Sequence, residues 1–485
     1  MLNPISLSLD TFEFIVDSDK YTALAVCVCE DTALPAWVQS VLPAALGVDF
    51  KAKFLSHLVG YTATGLRILL VGLGKQDAMT EDRLRQAAGT AGRLLSEYEK
   101  PGILITEVMA ARFGQAHALQ IVTEGALLGS FVFDRYKSEK KETVWKGLSL
   151  LVPAVSEALL PRMRQGEILA HATWISRTLA SMPANELTPT AFVDYARKML
   201  ADLPVVLDVI DREKALSLGM GSFLSVGQGS AQPSYMLLMR YMPRAQEALL
   251  GLVGKGVTFD SGGISIKPGK GMKDMKADMT GAASVLATLW GAASLGVQKN
   301  ILGIVALTEN MPSGNALRPG DVITAMNGKT IEIVNTDAEG RLILADALTL
   351  ACREEASPII DMATLTGACG VALGDLACGV LGNHQPLIDA LSRIGEASGE
   401  RVWQLPLYDG YLDAMKSDIA DIANANETGK GGTCTAAKFL EQFVDGRPWA
   451  HVDIASMMIS EKTSGYAVKG MSGVGARLLL GYVLG

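Results

Sequence analysis

The sequence predicts an α/β protein of two domains, each a mixed or parallel sheet sandwiched by helices, with a linking helix between them. Three observations carry the prediction. Short apolar runs rich in β-branched residues alternate with longer stretches of good helix formers, which is the pattern of βα units. A long helical pattern carrying Ile168, Trp174, Ile175 and Leu179 runs over residues 156–184 and stops at Met182-Pro183-Ala184, because proline and its predecessor disfavour helix continuation. The alternation then resumes, with no internal repeat or low-complexity tract. The predicted division is an N-terminal α/β domain over residues 1–155, a linker helix over 156–184, and a C-terminal domain over 185–485.

In the first domain, β-branched runs predict strands over 21–29, 66–74, 102–107 and 148–152, with a helix over 81–99. Gly72-Leu73-Gly74-Lys75 lacks both the spacing of a phosphate loop and the Ser/Thr after its lysine, so it reads as a tight strand-to-helix turn. Arg135, Lys137, Lys140, Lys141 and Lys146 are interleaved with Glu139 and Glu142, the composition of a solvated loop. The second domain opens with Thr188 as a helix N-cap and Pro189 at the first helical position. Helices follow over 190–203, 281–295, 342–355 and 435–444. Strands are expected over 205–207, 234–240, 249–253, 301–306, 331–334, 359–362 and 450–454. In such a sandwich, sites gather beyond the C-terminal ends of the strands.

The 485 residues, 49% of them apolar, suffice for two large cores. The net charge, 43 − 51 = −8, disfavours a general binder of nucleic acid or anionic membrane. Six cysteines (Cys27, Cys29, Cys352, Cys369, Cys378 and Cys434) show no CxxC spacing and read as buried free thiols. The five histidines include no pair at metal-ligand spacing, so a metal here must rely on carboxylates. Met1-Leu2-Asn3-Pro4 lacks the basic start of a signal peptide, and Asp10, Glu13 and Asp17 follow early. No uncharged apolar run approaches the roughly 18 residues of a membrane span, so a soluble cytoplasmic protein is expected.

Chemistry concentrates at Asn335-Thr336-Asp337-Ala338-Glu339-Gly340-Arg341-Leu342, between a predicted strand and a predicted helix. Steps of two would put Asp337, Glu339 and Arg341 on one face of extended backbone. Two carboxylates aimed one way repel unless a cation lies between them, and hard divalent cations take such ligands. The acids could instead cap the following helix. Arg341 opposes that helix's dipole, which implies an anionic partner. Upstream, Lys255 and Asp260 follow an apolar strand, either as a surface-reaching pair or as charges compensated by something else. Asp278 precedes the 281–295 helix and could be a helix-terminal acid, and four lysines (Lys267, Lys270, Lys273 and Lys276) crowd the same loop. Together Asp260, Asp278, Asp337 and Glu339 could hold two divalent ions with bridging carboxylates.

Residues 335–342 match the signature of the leucyl aminopeptidase family, the M17 cytosol aminopeptidases, which the chain resembles over roughly 180–485 and much more weakly before that. The likeness extends through Pro312-Ser313-Gly314-Asn315-Ala316-Leu317-Arg318-Pro319-Gly320-Asp321 and Ala363-Thr364-Leu365-Thr366-Gly367-Ala368. The resemblance implies that Lys255, Asp260, Asp278, Asp337 and Glu339 are metal ligands for two divalent ions, Mn²⁺ or Zn²⁺. It implies that Lys267 and Arg341 are the catalytic cations, Lys267 at the oxyanion and Arg341 holding a bicarbonate. Substrate contacts are implied for Lys267, Met275, Asp278, Thr364, Leu365, Gly367, Ala455 and Met458. It also implies peptide substrates with a free N-terminus, leucine or another apolar residue being preferred, and a homohexamer whose N-terminal domain serves assembly or regulation. Two other readings compete: a DNA-binding regulator, which the net charge opposes, and a metal-dependent hydrolase of another class such as a phosphatase. For the latter, Ser261-Gly262-Gly263 offers only a weak phosphate cradle.

Overall fold

The most apolar runs of the N-terminal third become central strands because each can bury both faces, while more polar segments take the edges. In a computed structural model that describes residues 5–12, 20–43, 49–140, 145 and 147–485, they are β1 (Ser6–Thr11), β2 (Ala23–Cys29), β3 (His57–Tyr61), β4 (Arg67–Gly74), β5 (Pro101–Leu104) and β6 (Gly147–Val152). Among the described residues they form one sheet in the order β1-β6-β5-β2-β4-β3, parallel except for the β3–β4 pair. All seven residues of β2 are buried, as a central parallel strand requires. The chain divides into two compact units, Met1–Trp174 with Ser460–Gly470, and Ile175–Ile459 with Met471–Gly485.

Sequence and structure differ at edges and turns. The helix expected over 81–99 is Glu81–Leu95, and β5 ends at Leu104 because Glu107 already begins another helix. Gly72 and Gly74 are not a turn but part of β4. A Cβ at Gly72 would lie 2.1 Å from the Lys53 carbonyl, so glycine there permits a close backbone approach. Arg135, Lys137 and Lys140 are exposed on a loop; Lys141, Glu142 and Lys146 lie outside the described residues, as do Met1 to Pro4, Glu13 and Asp17. All six cysteines are buried and free. Among the described residues no helix is long and apolar enough to cross a membrane.

The second unit is built on β7 (Val205–Ile210), β8 (Tyr235–Tyr241), β9 (Leu249–Asp260), β10 (Asn300–Asn310), β13 (Ile359–Ala363), β14 (Cys378–Gly382), β15 (Val402–Gln404) and β17 (Trp449–Asp453). Short β11 (Val322–Thr324), β12 (Thr330–Glu332) and β16 (Ile422–Ala423) form a separate small sheet. The large sheet runs β15-β14-β17-β13-β9-β10-β8-β7, and its middle four strands, β17, β13, β9 and β10, are mutually parallel. Helices cover both faces. Val253 and Val257 of β9 share a core with helix Gly340–Arg353, whereas Gly254 faces helix Thr280–Ser294, where a Cβ would meet Ala282 Cα at 2.7 Å. The long helix Leu160–Ser181 lies within the segment expected to link the domains, and helix Pro189–Leu200 begins with the expected cap, Ala191 N–H donating to Thr188 Oγ1 at 3.2 Å. Thr188→Ala is expected to cost about 1 kcal/mol of stability, read as a lowered denaturation midpoint.

Four strand ends on the parallel part of the sheet, Asp260, Asn310, Ala363 and Asp453, point the same way. That edge of the sheet carries the chemistry.

Candidate active site

β9 delivers two charged side chains to one place through an irregularity. Lys255 and Asp260 are five residues apart, so a regular strand would send them to opposite faces. The register with β10 slips, however: Val257 pairs with Thr308 and Phe259 with Glu309, leaving Thr258 as an extra residue. This bulge reverses the alternation, and both side chains line the same cavity. Lys255 reaches it past Gly340, where any Cβ would stand 2.7 Å from Lys255 Cε. After Asp260 the chain turns back through Gly262 and Gly263, both at positive φ (87° and 67°), and Lys267 N–H closes the turn on Ser261 O at 2.9 Å. Lys267 thereby lies beside the strand end it left, with Nζ 2.8 Å from Asp260 Oδ2 and also paired with Asp337 Oδ1.

The helix-capping alternatives do not describe the acids. Neither Asp278 nor Glu339 caps its neighbouring helix with its side chain. Both instead meet Lys255 Nζ, Asp278 Oδ1 at 2.8 Å and Glu339 Oε1 at 2.8 Å. Thr364 O accepts from the same ammonium at 2.9 Å, and Thr364 Oγ1 donates to Asp278 Oδ1 at 2.7 Å. The extended backbone expected for Asp337, Glu339 and Arg341 is not present. Asn335 makes a side-chain turn, accepting from Asp337 N at 2.8 Å, and Glu339 is already in the α region with φ −77° and ψ −33°. Asp337 and Glu339 converge through that turn. Oxygen atoms of Asp260, Asp337 and Glu339 lie within 4.8 Å of one another.

The resulting cavity, about 400 Å³, brings together Lys255, Asp260, Lys267, Met275, Asp278, Asp337, Glu339, Thr364, Leu365, Gly367, Ala455 and Met458. Arg341 is not on its wall. It is buried in the first turn of helix Gly340–Arg353, where it donates to Asn424 O at 2.9 Å, and its Nε has no hydrogen-bond partner among the described residues. Burial lowers its pKa to about 10, which leaves it charged at neutral pH.

Three buried residues that the sequence did not single out hold the wall in place. Asn310, at the end of β10, donates to Asp260 Oδ1 at 2.9 Å and to Thr336 O at 3.0 Å, tying β9 to the Asp337 turn. Asn424 accepts from Val334 N at 2.8 Å and donates to Asn335 O at 2.7 Å, bracing the same turn. Asp453 accepts from the backbone of Leu365 and Ala455. A polar residue closing an apolar strand was the one available signal, for Asn310 and Asp453; Asn424 offered none.

Electrostatically the site is short of positive charge. Burial raises the carboxyl pKa values of Asp278, Asp337 and Glu339, and the neighbouring Asp260 charge adds to this against the pull of the lysines. Burial pulls Lys255 and Lys267 down, but the carboxylates around them outweigh it and hold both above the usual lysine value. Asp278 Oδ2 and Glu339 Oε2 are buried without a hydrogen-bond partner among the described residues. A buried, unpartnered carboxylate oxygen is costly. Four carboxylates carrying two such atoms suit hard divalent cations, so the residues present fit a metal. Glu339 is shared between two groupings, one with Asp260 and Asp337, the other with Lys255 and Asp278.

Comparison with known proteins agrees with this geometry. Residues 174–480 match the family described as "Cytosol aminopeptidase family, catalytic domain", and residues 48–140 its N-terminal domain. A probable cytosol aminopeptidase of Geobacter sp. (strain M21) is 47% identical over 421 residues, which cover 86% of this chain and 85% of that protein. Among solved structures, a tomato leucine aminopeptidase variant superposes with a TM-score of 0.88 at 31% identity, covering 99% of this chain and 96% of that one. The bottromycin maturation enzyme BotP in complex with Mn gives a TM-score of 0.86 at 32% identity, covering 96% and 99%.

Proposed function

The chain belongs to the cytosol aminopeptidase family, metal-dependent hydrolases that remove N-terminal residues, and from that premise we propose a dinuclear centre that releases leucine or another apolar residue from peptides with a free N-terminus. The observation that carries the proposal is the pair of buried, unpartnered oxygens, Asp278 Oδ2 and Glu339 Oε2, of residues that line one cavity with Asp260 and Asp337. Lys255, Asp260, Asp278, Asp337 and Glu339 would hold two divalent ions, Mn²⁺ or Zn²⁺; the Mn in the BotP complex favours the former. Bound there, the ions supply Lewis acidity toward the scissile carbonyl and acidify the attacking water. As a ligand, Lys255 needs a free lone pair, and dications beside it would drive its pKa down.

The chain's own groups complete the chemistry. Lys267, on the cavity wall, donates a proton in a hydrogen bond to the oxyanion that develops from the substrate carbonyl. Arg341 stays protonated and cannot act as a base. It would hold a bicarbonate that accepts the proton, a role consistent with its unpartnered Nε. The Leu365 carbonyl would orient the peptide, while Met275, Thr364, Gly367, Ala455 and Met458 would surround the first side chain, methionines giving an adaptable apolar lining. The N-terminal domain, residues 1–155, would serve assembly or regulation of a homohexamer in the cytoplasm, with residues 156–184 as linker and 185–485 as the catalytic domain.

The test compares leucyl anilide with its N-acetyl derivative and with a phosphomonoester. Rapid release from the free amine alone is expected. Equal cleavage of the acetylated substrate would exclude the exopeptidase register, and phosphomonoester turnover would favour another hydrolase class.

A further inference from the structure

We infer that Asp453, which takes no part in the proposed chemistry, is a positioning residue that sets side-chain selectivity by joining the two loops of the cavity wall. The inference rests on the aminopeptidase reading above. Asp453 ends β17, fully buried and in register with Ala363 at the end of β13. Beyond these ends the two chains part. One supplies Leu365, Thr366 and Gly367 to the cavity, the other Ala455 and Met458.

Ile454 N–H donates to Ala363 O at 2.8 Å at the foot of the gap, Cys369 Sγ donates to Asp453 O at 3.6 Å and lies 3.8 Å from Ser456 Oγ, and between them one carboxylate joins the wall-forming residues themselves. Asp453 Oδ1 accepts from Leu365 N at 3.1 Å, from Thr366 N at 3.4 Å and from Ala455 N at 3.2 Å. Asp453 Oδ2 accepts from Thr366 Oγ1 at 2.6 Å, and that hydroxyl in turn accepts from Cys369 N at 3.2 Å, capping helix Gly367–Leu373. The near end of the first loop is held separately, by Thr364 on Lys255 and Asp278. The loop is therefore pinned to the carboxylate cluster at one end and to Asp453 at the other. Among these contacts the Asp453 carboxylate is the one that bonds to cavity residues of both segments, Leu365 and Thr366 on one side and Ala455 on the other, and so bears most directly on the spacing that decides how large a side chain fits between them. A pocket discriminates by such fit at about 10- to 200-fold per methylene, so small shifts of a wall are read as selectivity.

The experiment measures kcat and KM for leucyl and alanyl anilides in the Mn²⁺-loaded full chain, with metal content assayed for each variant. D453A is expected to lower the Leu-to-Ala ratio of kcat/KM by about tenfold or more, chiefly through a higher KM for the leucyl substrate. D453N keeps an acceptor for the backbone donors but turns Oδ2 into a donor, so an intermediate loss is expected; it also carries the test where D453A fails to fold. T366V removes the hydroxyl end of the same link, and its effect on the ratio should not add to that of D453N. A wild type inactive on both anilides would overturn the aminopeptidase reading itself. An active wild type whose D453N variant has a lower melting temperature but an unchanged Leu-to-Ala ratio would overturn this inference only.

Discussion

Removal of divalent ions by a chelator is expected to abolish hydrolysis of a leucyl anilide, by more than about 10³-fold, and Mn²⁺ or Zn²⁺ to restore it, because the attacking water would lose the dications that acidify it. The cavity wall offers no replacement. Among the described residues it carries no histidine or cysteine, and the hydroxyls of Thr364 and Thr366 both donate to carboxylates that are already committed. Lys255 and Lys267 are protonated without the ions and cannot accept the water's proton, since the surrounding carboxylates hold them above the usual lysine value. The fold should survive chelation, because Lys255 and Lys267 can each bridge two carboxylates without an ion. Stability should nevertheless fall, since a ligand that binds only the folded state stabilises it by mass action. D278A should likewise retain the fold and lose most activity. Turnover that persists in protein shown by metal analysis to be ion-free would rule out the proposed centre.

Much of the frame that positions this site was legible in the residues, for a physical reason. The middle strands of a parallel sheet are buried on both faces, so β9, β10, β13 and β17 announce themselves as apolar runs. Edge strands are less regular: β7 was expected over its first residues, 205–207, but β3 alternates exposed with more buried residues, β15 is three residues long, and neither of these two was foreseen. The identities of the acids were legible for a similar reason, because carboxylates beside apolar strand ends demand compensation. Their geometry was not. The Thr258 bulge, which turns Lys255 and Asp260 to one side, leaves no mark in residue type. The turn that brings Asp337 to Glu339 depends on Asn335 and on a brace from Asn424, some ninety residues away in the chain. An anionic partner for Arg341 was legible from its place in the first helical turn, but Lys255 as a ligand, and bicarbonate as that anion, came from family resemblance; the structure adds that Arg341 is bonded to Asn424 and stands off the cavity wall.

Replacing Lys267 with methionine, which keeps the length of the side chain and removes its charge, is expected to lower kcat about 100- to 1000-fold with little change in KM. The split follows from where the ammonium acts. A donor aimed at an oxyanion is worth most when negative charge has developed on the substrate, so its loss is felt in the transition state more than in binding. The backbone should not shift, because the turn that carries residue 267 is fixed by Gly262, Gly263 and the Lys267 N–H to Ser261 O bond, none of which involves the side chain. In the absence of ions the substitution leaves Asp260 and Asp337 facing each other without the cation between them, so the metal-free variant should melt lower than the metal-free wild type. With Mn²⁺ bound that difference should shrink, since a dication then neutralises the pair. Thus one substitution separates two roles: a stability loss seen mainly in the metal-free protein, and a rate loss seen in the Mn²⁺-loaded one. Full kcat in the Mn²⁺-loaded variant would remove Lys267 from the reaction and leave it only the structural role of pairing Asp260 with Asp337.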